Sequence, residues 1–296
     1  MKRERTGSID FIIIGAAKAG TTWLADVLRE HPDIFIPELK ELHYFNPTFP
    51  DDHSLANLNH EKPIEWYLNF FKGAKPNQIK GEATPAYLWD EAAAENIYQF
   101  DPNLKLIAVL REPVERAFSQ YLYRKFRGLF ADMDFNQAIQ EREDFLRMGL
   151  YHKHLTRFYN RFPKENIQVL LFDDLKEDNR AFLREVERFL GVREYIPDSI
   201  DKASNVTGVP RFGLANKLIF RFRVFARKRN LSVVTEFLRL SGLSKLSRLV
   251  MRKNTKPFDS KPKLTEENQK KLKDYYREDI AQLERLIERD LSGWKQ

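Results

Sequence analysis

Cysteine is absent from all 296 residues. That excludes disulfides, thiolate metal sites and a cysteine nucleophile, so packing and hydrogen bonding must hold the fold. Long apolar runs are missing as well: none approaches the roughly 18 residues of a membrane-spanning helix. The polar start Met1–Asp10 is followed only by the short apolar stretch Phe11–Ile14, which is not a secretory leader pattern. A cytoplasmic protein is the expectation. Internal repeats and low-complexity tracts are likewise lacking. What is present is 42% hydrophobic and 13% aromatic residues spread along the whole length, enough to build one large core. The expected organisation is a single domain over 1–296.

Acidic residues become scarce in one stretch. From Arg211 to Lys263, Glu236 and Asp259 stand against 15 lysines and arginines, while the whole chain carries only +7, so the remainder is acidic. Within this stretch Leu214, Leu218, Phe222 and Phe225 fall on one stripe, which predicts a basic, mostly helical segment at about 211–263. Such a segment suits an anionic partner or a membrane surface, at which the protein would be peripheral; a solvated helical face is the competing reading. Nucleic acid is not the expected partner, because no helix-turn-helix or aromatic-interleaved signature accompanies the charge.

Three strand-then-helix units organise the rest. Asp10–Gly15 reads as a buried β-branched strand, followed by a Gly/Ala turn and a helix over Thr21–Glu30. Leu104–Leu110 leads into Arg111-Glu-Pro113, where proline suits the first turn of a helix running to about Lys125. Ile167–Phe172 precedes a helix to Leu190, stopped by Gly191. Pro63–Phe71 and Asp90–Phe100 are also expected to be helical, and Leu264–Leu291 to form one closing helix. Residues 37–52 form a long loop of the kind that tends to carry function. The pattern predicts an α/β, P-loop-like three-layer fold with a mostly parallel central sheet flanked by helices.

Gly15-Ala-Ala-Lys-Ala-Gly20-Thr-Thr22 has the glycine spacing of a phosphate-binding loop, but Thr21 stands where a nucleoside triphosphatase carries lysine. The lysine lies earlier, at Lys18. Backbone N–H groups of such a turn and the positive end of the following helix attract an anionic group.

Lys18-Ala-Gly-Thr-Thr-Trp23 resembles the 5′-phosphosulfate loop of sulfotransferases that use 3′-phosphoadenosine-5′-phosphosulfate (PAPS). Leu110-Arg-Glu-Pro-Val-Glu-Arg-Ala-Phe-Ser-Gln-Tyr121 is similar to that family's 3′-phosphate motif, an arginine followed eight residues later by a serine. Similarity extends over Val169–Gly191, Asn205–Arg211 and Tyr276–Trp294, and is least over about 217–260. The resemblance implies that Lys18, Ala19, Gly20, Thr21 and Thr22 hold the 5′ end of PAPS, with Lys18 supplying charge to the leaving phosphate oxygen. It further implies that Arg111 and Ser119 take the 3′-phosphate, that Gly208 and Arg211 belong to a late 3′-phosphate loop, and that Trp23 stacks on adenine. No metal is required, and the product would be adenosine 3′,5′-bisphosphate.

Lys40-Glu41-Leu-His43-Tyr-Phe45 looks like the Lys-Glu-x-His-Phe-Phe element of glycan sulfotransferases, in which the glutamate is the presumed base. Glu41 is therefore the first choice and His43 the alternative. Gly81-Glu82-Ala-Thr-Pro-Ala-Tyr87 resembles the next element, but Ala83 replaces the lysine of the glycan-modifying branch, which weakens a heparan-like acceptor. Glu82 is left as a second acid or a structural anchor. The acceptor class implied is a hydroxyl or amine of a glycan, glycolipid or small metabolite. The competing readings are a P-loop kinase of a small molecule, whose magnesium acid would have to be Asp173, and a non-enzymatic nucleotide- or nucleic-acid-binding protein.

Overall fold

The computed structural model describes residues 9–49, 52–126, 130, 133–142, 144–201, 208–210, 255–257 and 262–295. They divide into two compact units, one holding the residues up to 116, 148–201 and those from 275 on, the other 117–147 and those from 208 to 274. The basic segment predicted at 211–263, with Arg211, lies outside the described residues except for 255–257 and 262–263.

The first unit is built on a five-stranded sheet in the order β2-β5-β1-β6-β7. Its strands are β1 (Phe11–Gly15), β2 (Ile34–Phe35), β5 (Ile79–Ala83), β6 (Lys105–Leu110) and β7 (Ile167–Leu171), and every pairing is parallel. Helices flank it, giving the P-loop-like α/β architecture read from the sequence. β1 is buried along its full length, as its unbroken apolar run requires of a central parallel strand. The chain fills one side of β1 with β5 and β2 and the other with β6 and β7. The crevice beyond the carboxyl end of β1 is thus a topological switch point, where such sheets bind ligands.

Helices α1 (Thr21–Glu30) and α4 (Pro113–Phe126) follow β1 and β6 as the sequence indicates. The helix after β7 is two helices, α8 (Phe172–Glu177) and α9 (Asn179–Leu190). Asp178 causes the break: its carboxylate accepts the N–H groups of Arg180 and Ala181 and starts α9 afresh. Gly191 ends α9 in the left-handed region, φ 77°.

α2 (Ile64–Leu68) continues as a 3₁₀ turn to Phe71. α3 covers Ala93–Phe100, with the Asp90 carboxylate accepting the amides of Ala92 and Ala93. The end of the long loop pairs with the residues that follow it, as antiparallel strands β3 (Thr48–Phe49) and β4 (Asp52–Ala56). α7 (Tyr151–Tyr159) completes this unit's central part. The closing helix is shorter than expected: α10 spans Glu266–Ile287, and a separate turn, α11, covers Ser292–Lys295.

In the second unit Tyr121 packs between Phe118 and Phe135, and its hydroxyl donates to the Met133 carbonyl. This unit also holds α5 (Phe135–Glu141), α6 (Asp144–Arg147) and the antiparallel pair β8 (Gly208–Pro210) with β9 (Thr255–Pro257). Among the described residues no helix is long and apolar enough to cross a membrane.

Gly81 faces Phe11 directly in the β1–β5 register, and a Cβ there would penetrate the Phe11 ring. Gly81→Ala should therefore cost about 1–3 kcal/mol of stability, measured by urea denaturation. Adding Phe11→Leu should recover part of the loss; equal stability of Gly81→Ala and the parent would refute the crowding.

Candidate functional site

β1 delivers the chain into the loop 15–20. Lys18 adopts φ 72° and Gly20 φ 88°, so the loop doubles back before α1 begins. At Gly20 a Cβ would lie 2.8 Å from Leu175 and 3.1 Å from the Phe172 ring, so glycine is needed for space as well as for conformation. α1 has no acidic residue in its first turn and no side-chain cap. Leu24 donates to the Gly20 carbonyl, which leaves the amides of Thr21, Thr22 and Trp23 as the orphan donors of the helix start. A helix N-terminus of this kind favours an anion. Ala19 and Thr21 are buried. Trp23 is buried too: its indole N–H donates to the Ile200 carbonyl at 3.0 Å, and its ring meets Phe182 edge-on.

Arg111 comes from the carboxyl end of β6. Tyr151 of α7 donates its hydroxyl to the Arg111 carbonyl at 2.9 Å and fixes the backbone there. The guanidinium lies over the Phe172 ring, 4.9 Å from its centre, and Nη1 donates to the Lys18 carbonyl at 3.3 Å. Nε and Nη2 both donate to Oε2 of Glu115, at 3.2 and 2.7 Å. Glu112 is engaged elsewhere, its carboxylate accepting the amides of Val114 and Glu115 at the start of α4.

The third element is the segment Lys40–Asn46. Glu41 and His43 both have left-handed backbones, φ 63° and 52°. Glu41 donates its N–H to the Ala83 carbonyl at the end of β5, while its side chain is 49% exposed. His43 Nε2 lies 3.7 Å from Glu41 Oε2. Asn46 donates Nδ2–H to the Thr48 carbonyl at 2.5 Å, so its Oδ1 is the atom facing His43 Nδ1 at 3.2 Å. His43 Nδ1 is therefore the donor in that bond. Amide groups of Asn57 and Asn59 bind the carbonyls of His43, Asn46 and Leu42.

Lys40 joins these parts, a role the motif reading did not assign to it. Its ammonium donates to Thr22 Oγ1 at 2.6 Å and stands 4.0 Å from Glu41 Oε1. Burial lowers its pKa, against the opposing pull of the Glu41 and Asp26 carboxylates. The sequence signal was there, a lysine directly before the candidate base, but only the fold reveals that it reaches Thr22 at the start of α1.

Glu82 is an anchor. Its buried carboxylate accepts the hydroxyls of Tyr67 and Tyr87 at 3.0 Å and of Thr84 at 2.7 Å. The Tyr87 oxygen accepts the amides of Tyr44 and Phe45, and the Thr84 oxygen accepts that of His43 at a long 3.5 Å. One carboxylate thus fixes two hydroxyls that hold the backbone of the His43 segment. Ala83 is buried and offers that segment only its carbonyl.

The structure brings Lys18, Gly20, Thr22, Arg111, Glu41 and His43 into one connected set. In the second unit, Ser119 is a buried residue of α4 and Gly208 pairs with Pro257.

A family model for the sulfotransferase domain matches residues 8–284. Curated relatives include heparan sulfate glucosamine 3-O-sulfotransferase 5 from Homo sapiens, 33% identical over 193 residues, covering 61% of this chain and 53% of the relative. Heparan sulfate glucosamine 3-O-sulfotransferase 3B1 from Mus musculus is 30% identical over 207 residues, 67% of this chain and 50% of the relative. The matches thus span about half the length of these relatives. Among solved structures, a sulfotransferase from Alicyclobacillus acidocaldarius aligns with TM-score 0.69 and 24% identity, covering 98% of this chain and 99% of that one. That likeness supports the fold.

Burial raises the pKa of Glu82, more than its three hydroxyl donors and His43 lower it. A carboxyl whose folded pKa exceeds its unfolded one favours folding while protonated, so stability falls as pH rises from the ordinary carboxylate value through the raised one. Glu82→Gln should flatten that part of the stability–pH curve, read by thermal unfolding across the acid range. An unchanged slope would show that Glu82 is not its source.

Proposed function

The chain belongs to the sulfotransferase family, and from that premise we propose that it transfers the sulfuryl group of PAPS to a hydroxyl of a glycan-type acceptor. The observation that carries this reading is the contact between Arg111 and the Lys18 carbonyl, which sets a phosphate-seeking guanidinium against a loop that offers an open helix N-terminus. An adenosine nucleotide with phosphates at both the 5′ and 3′ positions fits that donor set. The relatives' names, which refer to heparan sulfate glucosamine, support a sugar hydroxyl as acceptor. Ala83 contributes no charge beside Glu41, so recognition of a polyanionic heparan chain is not part of the proposal.

PAPS supplies an activated sulfuryl group on a phosphate that departs as an anion. Transfer in line then asks three things of the protein: positioning, a proton acceptor, and charge for the leaving oxygen. Glu41 is the proposed base, because it is exposed to an incoming hydroxyl and stands 4.0 Å from the Lys40 ammonium. Lys18 is proposed to meet the departing phosphate oxygen, while Thr22, hydrogen-bonded by Lys40, turns its own hydroxyl hydrogen outward as a donor.

Glu41→Gln should retain adenosine 3′,5′-bisphosphate binding and lose about 10²- to 10⁴-fold in turnover. Arg111→Ala should weaken the bisphosphate about 10- to 100-fold, with a much smaller effect on ADP, as read by thermal shift and calorimetry. Undiminished turnover in Glu41→Gln moves the base to His43. Equal stabilisation of the parent by the bisphosphate and by ADP refutes the donor assignment.

A further inference from the structure

We propose that Lys40 is a further catalytic residue, whose ammonium binds the sulfuryl oxygens of the donor and holds that group in line between the leaving phosphate and the acceptor. The inference rests on the reading of the chain as a PAPS-dependent transferase. The ammonium stands 2.6 Å from Thr22 Oγ1, in the first turn of α1, and 4.0 Å from Glu41 Oε1. Thr22 belongs to the donor side of the site and Glu41 to the acceptor side. One cation thus spans the gap that the sulfuryl group crosses.

The flanks of Lys40 fix its position. Arg29 of α1 donates from Nε and Nη2 to the carbonyls of Ile36 and Pro37, shortly before Lys40, and its Nη1 is bound to Asp26 at 2.8 Å. Directly after Lys40, the Glu41 amide is held by the Ala83 carbonyl. The Lys40 side chain is 14% exposed. Among the described residues, Thr22 Oγ1 is the one hydrogen-bond acceptor of the ammonium, because 4.0 Å to Glu41 makes an ion pair and not a hydrogen bond. An ammonium has three donors, so two remain for a ligand. Burial lowers the pKa of Lys40; the Glu41 and Asp26 carboxylates oppose that shift and Arg29 adds to it. A further anionic oxygen beside the ammonium compensates its charge.

A tie between this loop and α1 does not require a lysine, since Arg29 already makes one through two carbonyls. What Lys40 adds is charge at the point of transfer. There the acceptor hydroxyl oxygen forms its bond to sulfur as the bond from sulfur to the 5′-phosphate oxygen breaks. The bonding pair leaves on that phosphate oxygen, which Lys18 meets, and the hydroxyl proton passes to Glu41. The other three oxygens stay on sulfur throughout, and Lys40 is the cation placed to face them.

The test is calorimetry of adenosine 3′,5′-bisphosphate and of PAPS without acceptor, joined to single-turnover transfer, on the parent chain, Lys40→Met and Lys40→Arg. Lys40→Met is expected to lose about tenfold more affinity for PAPS than for the bisphosphate, and about 10- to 100-fold in the transfer rate. Lys40→Arg, which keeps the charge, should recover part of both. Lys40→Gln carries no charge but can still donate to Thr22, and it gives the same comparison should Lys40→Met fail to fold. The loss specific to PAPS should persist when Lys40→Met is added to Thr22→Val. Equal losses for the two nucleotides, or disappearance of the difference in the Thr22→Val background, would make Lys40 a support for Thr22 alone and overturn the proposal. A parent chain that binds neither nucleotide refutes the donor reading itself, and this inference with it.

Discussion

Parallel pairing of β5, β1 and β6 is the constraint from which the site follows. In a parallel sheet all strands end on the same side, so the segments leaving these three neighbours must emerge together. β1 releases the lysine-bearing loop, β6 releases Arg111, and β5 ends at Ala83, whose carbonyl receives the Glu41 amide. Residues separated by up to about a third of the chain become neighbours without any special device. The contact from Arg111 to Lys18 is the shortest expression of that arrangement.

Charge then organises what the sheet has gathered. Lys40 spans from the Thr22 hydroxyl to the Glu41 carboxylate, and Glu41 in turn faces His43. An ammonium in that position has two consequences. It donates to the first-turn hydroxyl of α1, and it places a positive charge 4.0 Å from the carboxylate of the proposed base. Burial lowers the pKa of Lys40, and the carboxylates of Glu41 and Asp26 oppose that shift.

Much of this was legible in the sequence, and the portions that were not share a physical reason. The strands β1, β6 and β7 announce themselves because they are apolar but for Lys105 and Gln168, and their helices carry proline or glycine at the expected ends. β5 was not foreseen as a strand: Ile79-Lys-Gly-Glu-Ala83 has a glycine that accommodates the Phe11 ring and a carboxylate satisfied by three hydroxyls. Tertiary partners override its poor local propensity. The Asp178 break was readable in principle, since aspartate before Asn-Arg-Ala is a helix start, but it is masked by apolar residues in phase on both sides. Glu82 was left between acid and anchor; its three hydroxyl partners favour the anchor.

The backbone supplies a further argument. Among the described residues four that are not glycine have positive φ, and one of them, Glu288, lies just past the end of α10, where a left-handed residue commonly terminates a helix. The other three are Lys18, Glu41 and His43. Each left-handed conformation costs about 1–2 kcal/mol for a residue with a Cβ, so three in one site must be imposed by their surroundings. The surroundings are visible: Arg111 on the Lys18 carbonyl, the Ala83 carbonyl on the Glu41 amide, and the Asn57 amide on the His43 carbonyl. Strain held this way fixes where each side chain leaves the backbone. It thereby converts flexible lysine and glutamate side chains into groups with a defined origin, which is what positioning for in-line transfer demands.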